Sequence, residues 1–126
     1  MNDATGRLTE GELEIMQVIW GLKACTVREV YETLRERRQV AYTTVMTMMK
    51  ILEEKGHLTR ERQNRAYLYR PAQPKNRVIS KLVNDFVASV FEGSAKPLVL
   101  NLVREKKLSD EDLEEISRII REQGQE

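Results

Sequence analysis

Thr43, Thr47, Lys50 and Glu54 are spaced four, three and four residues apart. A helix advancing about 100° per residue sets them on one line, with Thr44 and Met46 flanking it. Opposite runs an apolar stripe of Val45, Met48 and Leu52. Short hydroxyl side chains approach base edges and phosphates closely, and their methyls pack on the thymine methyl. Lys50 in the same row reaches a phosphate or a guanine. An ordinary solvated face has the same spacing. Threonine is a mediocre helix former, however, so three at these positions are unexpected on a face that only meets water.

A second group of side chains follows. Arg60, Arg62 and Arg65 lie in or between two short alternating runs, Leu58 to Gln63 and Ala66 to Arg70, around Asn64-Arg65. This pattern reads as a β-hairpin. Guanidinium groups near its tip suit sugar-phosphate contacts, which hold a protein on a duplex without reading sequence. The same charges also protect a sheet edge from aggregation. Tyr67 and Tyr69 alternate with Ala66 and Leu68. One of the two rings is expected to pack on the domain, and Tyr67 is assigned to the phosphate backbone.

The charge distribution supports this. From Arg35 to Arg70 nine Lys/Arg stand against four Glu, whereas from Pro71 onward nine basic residues meet ten acidic ones. A locally basic block in a chain of net charge +1 suggests a polyanion-facing surface in that block alone. Charge by itself does not separate that surface from a merely solvated one.

Other chemistries lack residues to perform them. Cys25 is the only cysteine, which excludes a disulfide framework and a thiolate metal site, and beside apolar neighbours it reads as a small buried hydrophobe. His57, the one histidine, has no second ligand at metal spacing. There is no nucleophile–base pairing, phosphate-cradling glycine loop or zinc motif, so no enzyme, metal or cofactor is expected. Nothing resembles a signal peptide, and no apolar run approaches the roughly 20 residues of a membrane span. The expectation is a soluble cytoplasmic protein without membrane insertion. Its 126 residues suffice for one small domain and an accessory element.

Local signals supply the elements that position these side chains. Thr9 with Glu12 forms a capping box opening a helix with Leu13, Ile15, Met16, Ile19 and Trp20 inward, ended by Gly21. Thr26 with Glu29 opens a second, with Val27, Val30, Tyr31 and Leu34 on one face. A third runs from about Tyr42 to Lys55, with Ala41, Val45, Met48, Met49 and Leu52 as its core stripe and Gly56 as its stop. Three helices followed by a hairpin is the order of a winged helix-turn-helix. Pro71 and Pro74 then punctuate the chain, giving a DNA-binding domain over residues 7–72 and a helical domain over 73–126.

The second part is apolar out of proportion to its size. Val78, Ile79, Leu82, Val83, Phe86, Val87, Val90 and Phe91 form a double row stepping by four, and each is worth about 1.5–3 kcal/mol when fully buried. Gly93 and Ser94 break that helix, a short helix from Leu98 to Val103 follows, and Ser109 caps a last one carrying Leu113, Ile116, Ile119 and Ile120. A second copy of the chain is the simplest cover for the row, with Leu82, Val83, Phe86, Val87, Val90 and Phe91 at the interface. Packing against the last two helices of the same chain is the alternative.

The segment from Tyr42 through Thr43, Thr44, Val45, Met46 and Thr47 to Gly56 resembles the recognition helix of the penicillinase repressors, the BlaI/MecI type. Leu8 to Met16, Ile19-Trp20, Ala66-Tyr67-Leu68-Tyr69, Leu98 to Leu102 and Leu108-Ser109 are similar to that family as well, so the likeness extends from Leu8 to Gln123. It implies a mostly α fold and a homodimer with intertwined C-terminal helices, repressing genes from an inverted repeat in double-stranded DNA. It implies base contacts from Thr43, Thr44, Met46 and Thr47, and wing contacts from Arg60, Arg62 and Arg65. In β-lactam-responsive members a membrane-anchored sensor metalloprotease pathway ends in cleavage of an Asn-Phe bond. The matching pair here is Asn101-Leu102, with leucine in place of phenylalanine. Copper-responsive relatives carry a C-terminal Cys-x-Cys motif, and this chain has no cysteine after Cys25.

Two other readings of the same residues differ in what they bind. One is a winged-helix regulator opened by a small ligand, and the other is a winged-helix module that binds protein.

Overall fold

The computed structural model describes residues 7–124. Its elements are α1 (Glu10–Leu22), α2 (Val27–Arg35), α3 (Tyr42–Glu54), β1 (Leu58–Gln63), β2 (Ala66–Pro71), α4 (Lys75–Val90), α5 (Ala95–Arg104) and α6 (Asp110–Gln123). The chain divides into two compact units between Ile79 and Ser80, inside α4. That division lies seven residues past the boundary expected after Ala72. The start of α4 belongs to the first unit because Val78 is buried and Lys75 lies over the Trp20 ring at 5.7 Å.

The first unit is a winged helix-turn-helix. Thr9 and Thr26 cap α1 and α2 as reciprocal capping boxes, each hydroxyl accepting from the amide three residues on while Glu12 or Glu29 accepts from the cap's own amide. Ile15, Met16, Val18 and Ile19 of α1, Val30 and Leu34 of α2, Val45, Met49 and Leu52 of α3, and Cys25, Leu58 and Tyr69 form one buried core. Trp20, Val27, Tyr31 and Met48 pack partly buried against it. Gly11 brings α1 close to α3, since a Cβ there would stand 2.9 Å from the Met48 Cε.

Two expectations are corrected here. α1 does not end at Gly21, which is helical; it ends at Leu22, and the C-cap Lys23, with φ 74°, breaks the helix while its amide donates to the Ile19 carbonyl. Ala41 is not part of the core stripe: it is the exposed, extended residue that precedes α3. At the other end, Gly56 with φ 87° closes α3 as expected, the His57 amide reaching back to the Leu52 carbonyl at 2.9 Å.

β1 and β2 are antiparallel, from Leu58 opposite Pro71 to Gln63 opposite Ala66. Asn64 takes the left-handed conformation, φ 55°, that the two-residue turn requires and that asparagine tolerates. Cys25 adds a short third bridge, exchanging both backbone hydrogen bonds with Tyr69 at 3.0 and 2.7 Å. Cys25 itself is fully buried, and burial pushes its thiol up to about 11, as suits a small core residue.

The second unit is helical. α4 stops at Val90, not at Phe91, because Glu92 and Gly93 both take positive φ and turn the chain through 93° into α5. Phe91 instead meets Phe86 edge to face, ring centroids 5.8 Å apart. α5 runs from Ala95, three residues before the expected Leu98, to Arg104. Ser109 and Asp112 form a third capping box on α6. Among the described residues no single helix is long and apolar enough to cross a membrane.

Candidate nucleic-acid interface

α3 presents the expected row. Tyr42, Thr43, Thr44, Met46, Thr47, Lys50 and Glu54 are all exposed, while Val45, Met49 and Leu52 on the opposite side are buried. Met46, a large apolar side chain, is 46% exposed. Its thioether therefore faces outward among hydroxyls, available to the apolar contact that a thymine methyl offers.

The N-terminus of α3 differs from those of α1, α2 and α6. Ala41 supplies no side-chain cap, and no acidic residue occupies the first turn. The first-turn amides and the positive end of the helix dipole are thus left for an anion. Beside them Tyr42 packs edge to face on Tyr31 at 5.5 Å, and the Arg28 guanidinium lies 5.9 Å from the Tyr42 ring. Sequence reasoning missed Tyr42 and Arg28 as members of this surface. The only signal available was that Arg28 and Tyr31 lie one turn apart on the helix before α3.

The hairpin separates its arginines. Register places Leu58, Arg60 and Arg62 on one face with Pro71, Tyr69 and Tyr67, and Thr59, Glu61 and Gln63 on the other with Arg70, Leu68 and Ala66. Arg65 is in the turn and exposed, and Arg62 lies opposite Tyr67, one pair from it. Arg60 is not near the tip: it stands opposite the buried Tyr69 in mid-strand.

The basic block is less free than its count suggests. Arg35 pairs with Glu32 at 3.5 Å, Arg38 with Glu14 at 2.7 Å, Lys55 with Glu12 at 2.8 Å, Arg60 with Glu53 at 3.1 Å and Arg70 with Glu61 at 3.1 Å. The Arg38 and Arg70 hydrogen bonds hold the Glu14 and Glu61 carboxyls below their ordinary range. Arg37, Lys50, Arg62 and Arg65 are the cations of the block without an ion pair among the described residues. These four, with the uncapped helix end, carry the unneutralised positive charge of the surface.

One tie beneath the surface was not foreseen. Lys55, just past the end of α3, places its ammonium against the Glu12 carboxylate of α1, both side chains 6% exposed, and also donates to the Arg7 carbonyl at 2.9 Å. Glu12 thus serves twice, accepting from the Thr9 amide at 2.9 Å in the capping box and from Lys55. The pair pins the C-terminal end of α3 to the N-terminal turn of α1.

The proposed interface residues of the second unit are only partly covered. Val83 and Phe86 are each 48% exposed and Val90 55%, with Leu82, Val87 and Phe91 half-buried. Neither α5 nor α6 contains a buried residue. Asn101 and Leu102 lie inside α5, the Asn101 carbonyl accepting from the Glu105 amide at 3.0 Å.

Residues 8–122 match the penicillinase repressor family. The methicillin resistance regulatory protein MecI of Mammaliicoccus sciuri is 27% identical over 95% of this chain and 98% of its own. The penicillinase repressor of Bacillus licheniformis is 28% identical over 92% and 91%. The transcriptional regulator BlaI of Mycobacterium tuberculosis is 32% identical over 83% and 77%. Among solved structures, the DNA-binding domain of the repressor BlaI aligns with a TM-score of 0.52 at 28% identity, covering 60% of this chain and 90% of that one. A monomeric form of Bacillus licheniformis BlaI in complex with the blaP half-operator aligns with a TM-score of 0.50 at 28% identity, covering 56% and 85%.

Proposed function

The chain belongs to the penicillinase repressor family, and we propose that it represses transcription as a homodimer bound to an inverted-repeat operator. It is a winged-helix DNA-binding repressor and not an enzyme. The observation that carries the reading is the exposed threonine and methionine row of α3, opening on an uncapped helix end. Thr43, Thr44, Met46 and Thr47 read bases in the major groove, and Lys50, Arg62 and Arg65 hold phosphates. A relative of known structure, Bacillus licheniformis BlaI, is seen in a monomeric form on the blaP half-operator. For this chain a second copy is the cover for Val83, Phe86 and Val90, so residues 73–126 act as the dimerisation domain, with the first turn of α4 seated on the DNA-binding domain of residues 7–72. Acting on DNA, the protein works in the cytoplasm.

Release through a sensor protease belongs to the same proposal. Because Asn101-Leu102 is helical, a protease that takes extended substrate must first unwind α5 there, and cleavage would detach α6 while sparing α4. The test is selection of bound DNA from a random pool by the full chain, followed by footprinting and sedimentation. The expected result is one dominant site of two inverted halves whose centres are about one helical turn, 34–36 Å, or a multiple apart, covered by a dimer. Enrichment of no sequence, or of single unpaired half-sites by a monomer, overturns it.

A further inference from the structure

Arg60 has more partners than any other arginine of the hairpin. Its Nε is 3.1 Å from the Glu53 Oε2 in the last turn of α3. Across the hairpin it stands opposite Tyr69, which is a core residue, and its guanidinium lies 4.0 Å from the centroid of the Tyr67 ring. The same ring takes the Arg62 guanidinium at 5.7 Å. Two arginines thus share one aromatic platform: the inner one is tied to α3 and the outer one is not.

We propose that Arg60 is a positioning residue, a strut that sets the wing against the recognition helix and, through Tyr67, aims Arg62 at the DNA backbone. A guanidinium matched by a carboxylate at 3.1 Å and lying over a tyrosine ring at 4.0 Å is a poor counter-ion for phosphate. Neutralising a phosphate with it would mean breaking the Glu53 pair, so little net counter-ion release follows. What the cluster supplies is geometry. Only Lys55, Gly56 and His57 join α3 to β1, and the first strand pair sets the buried Leu58 opposite the half-buried Pro71 at the hairpin's root. Beyond it, Glu53–Arg60 is the ion pair that joins the hairpin to α3. The wing and α3 must meet backbone and groove together, so a change in their angle weakens both contacts. This extends the DNA-binding reading above to Arg60, Tyr67 and Glu53.

The test compares Glu53→Gln, Arg60→Met and the double variant with wild type and with Arg62→Ala, all as full chains. The probe is a random-sequence duplex, titrated with salt. Loss of an exposed ion pair together with a cation–π contact predicts weakening by roughly tenfold. The strut predicts this for Arg60→Met and a smaller, few-fold loss for Glu53→Gln, which forfeits the ion pair alone, with an unchanged salt slope in both and a double variant no worse than Arg60→Met. Arg62→Ala instead lowers the slope by about one. Amide exchange supplies a readout that needs no DNA. Exchange in β1 and β2 should quicken several-fold in Glu53→Gln and Arg60→Met while α1 and α2 keep their protection. A lowered slope in Arg60→Met with tighter binding by Glu53→Gln would make Arg60 a phosphate ligand and overturn the strut. So would unaltered wing exchange. Wild-type protein that fails to bind duplex at low salt refutes the DNA-binding reading separately, and the exchange result still decides whether Arg60 orders the wing.

Discussion

Lys55→Met separates the structural tie beneath the recognition helix from the DNA surface above it. The methionine keeps an apolar stem of similar length but leaves the Glu12 carboxylate, in a site where both side chains are 6% exposed, without its cation. Removing one partner of a buried pair costs about 3–5 kcal/mol, because the remaining charge is desolvated and uncompensated. The Thr9 amide still donates to Glu12 at 2.9 Å, which places the expected loss near the lower end, about 3 kcal/mol. That is a large share of the roughly 5–15 kcal/mol that hold a domain folded. Adding Glu12→Gln should restore most of it, because an amide pays far less for burial and still accepts from Thr9.

The pH dependence gives the second half of the test. Burial pushes the Glu12 carboxyl up, but the hydrogen bonds from Lys55 and Thr9 and the Lys55 charge together pull it below its ordinary 4.5. A carboxyl depressed in the folded state contributes stability that is present above the ordinary value and is lost as pH falls through the depressed one. In Lys55→Met the two Lys55 contributions vanish and burial gains weight, so the carboxyl rises and the variant recovers stability as Glu12 takes up a proton. The gap between wild type and variant is therefore widest at neutral pH and narrows toward about pH 4. Urea unfolding followed by the fluorescence of Trp20, the sole tryptophan, which packs on the N-terminal core, reports this unit directly. A loss under about 1 kcal/mol at neutral pH, or a gap that does not narrow in acid, would refute the reasoning.

Three further outcomes test the surface and the arm. Arg62→Ala and Arg65→Ala should weaken binding to operator and random duplex alike, each lowering the salt slope by about one unit, as read by anisotropy titrations across salt. Thr47→Ala should cost about 1–3 kcal/mol on the selected operator and much less on random DNA; equal losses would make Thr47 a backbone contact. Phe86→Asp places a carboxylate in the proposed interface and should shift the protein to monomer in sedimentation while Trp20 fluorescence stays native, with operator affinity falling as the two half-sites lose their linkage. A variant still dimeric at micromolar concentration would remove Phe86 from the interface.

What the sequence revealed was local. Capping boxes couple residues three apart, the apolar stripes of α1 to α3 repeat within single helices, and the Asn64-Arg65 turn is read from its own two residues, so each appears at the expected place. The misplacements are equally local in cause. Gly21 permits a helix end but does not compel one, and the helix continues through Leu22 before Lys23 turns the chain. Phe91 continues the four-residue rhythm of α4, yet the Glu92-Gly93 turn removes it from the helix and returns its ring to Phe86. Ion pairs were beyond reach: Glu12 and Lys55 lie 43 positions apart and Glu14 and Arg38 24, and no periodicity joins such residues. Counting charges in the basic block therefore overstates what is free to meet a polyanion, and nearness to a turn misplaces Arg60, whose partners are Glu53 and the Tyr67 ring.

The two ends of α3 show how this unit divides stability from recognition. A cap at the N-terminus would contribute about 1 kcal/mol, and α1, α2 and α6 each carry one in the form of a reciprocal box. α3 forgoes it, with Ala41 at the capping position and no acidic residue in the first turn. A capping carboxylate there would occupy the amides that a phosphate needs and would repel the phosphate itself. The helix is instead fastened at its other end: Gly56 closes its last turn, Lys55 buries its charge against Glu12 at 2.8 Å, and Glu53 holds Arg60. Each tie lies at the C-terminal end of α3 and leaves the row from Thr43 to Lys50 exposed. The groups that stabilise a helix start in water are the ones an anion must replace, so a helix that meets DNA is more safely anchored at its other end.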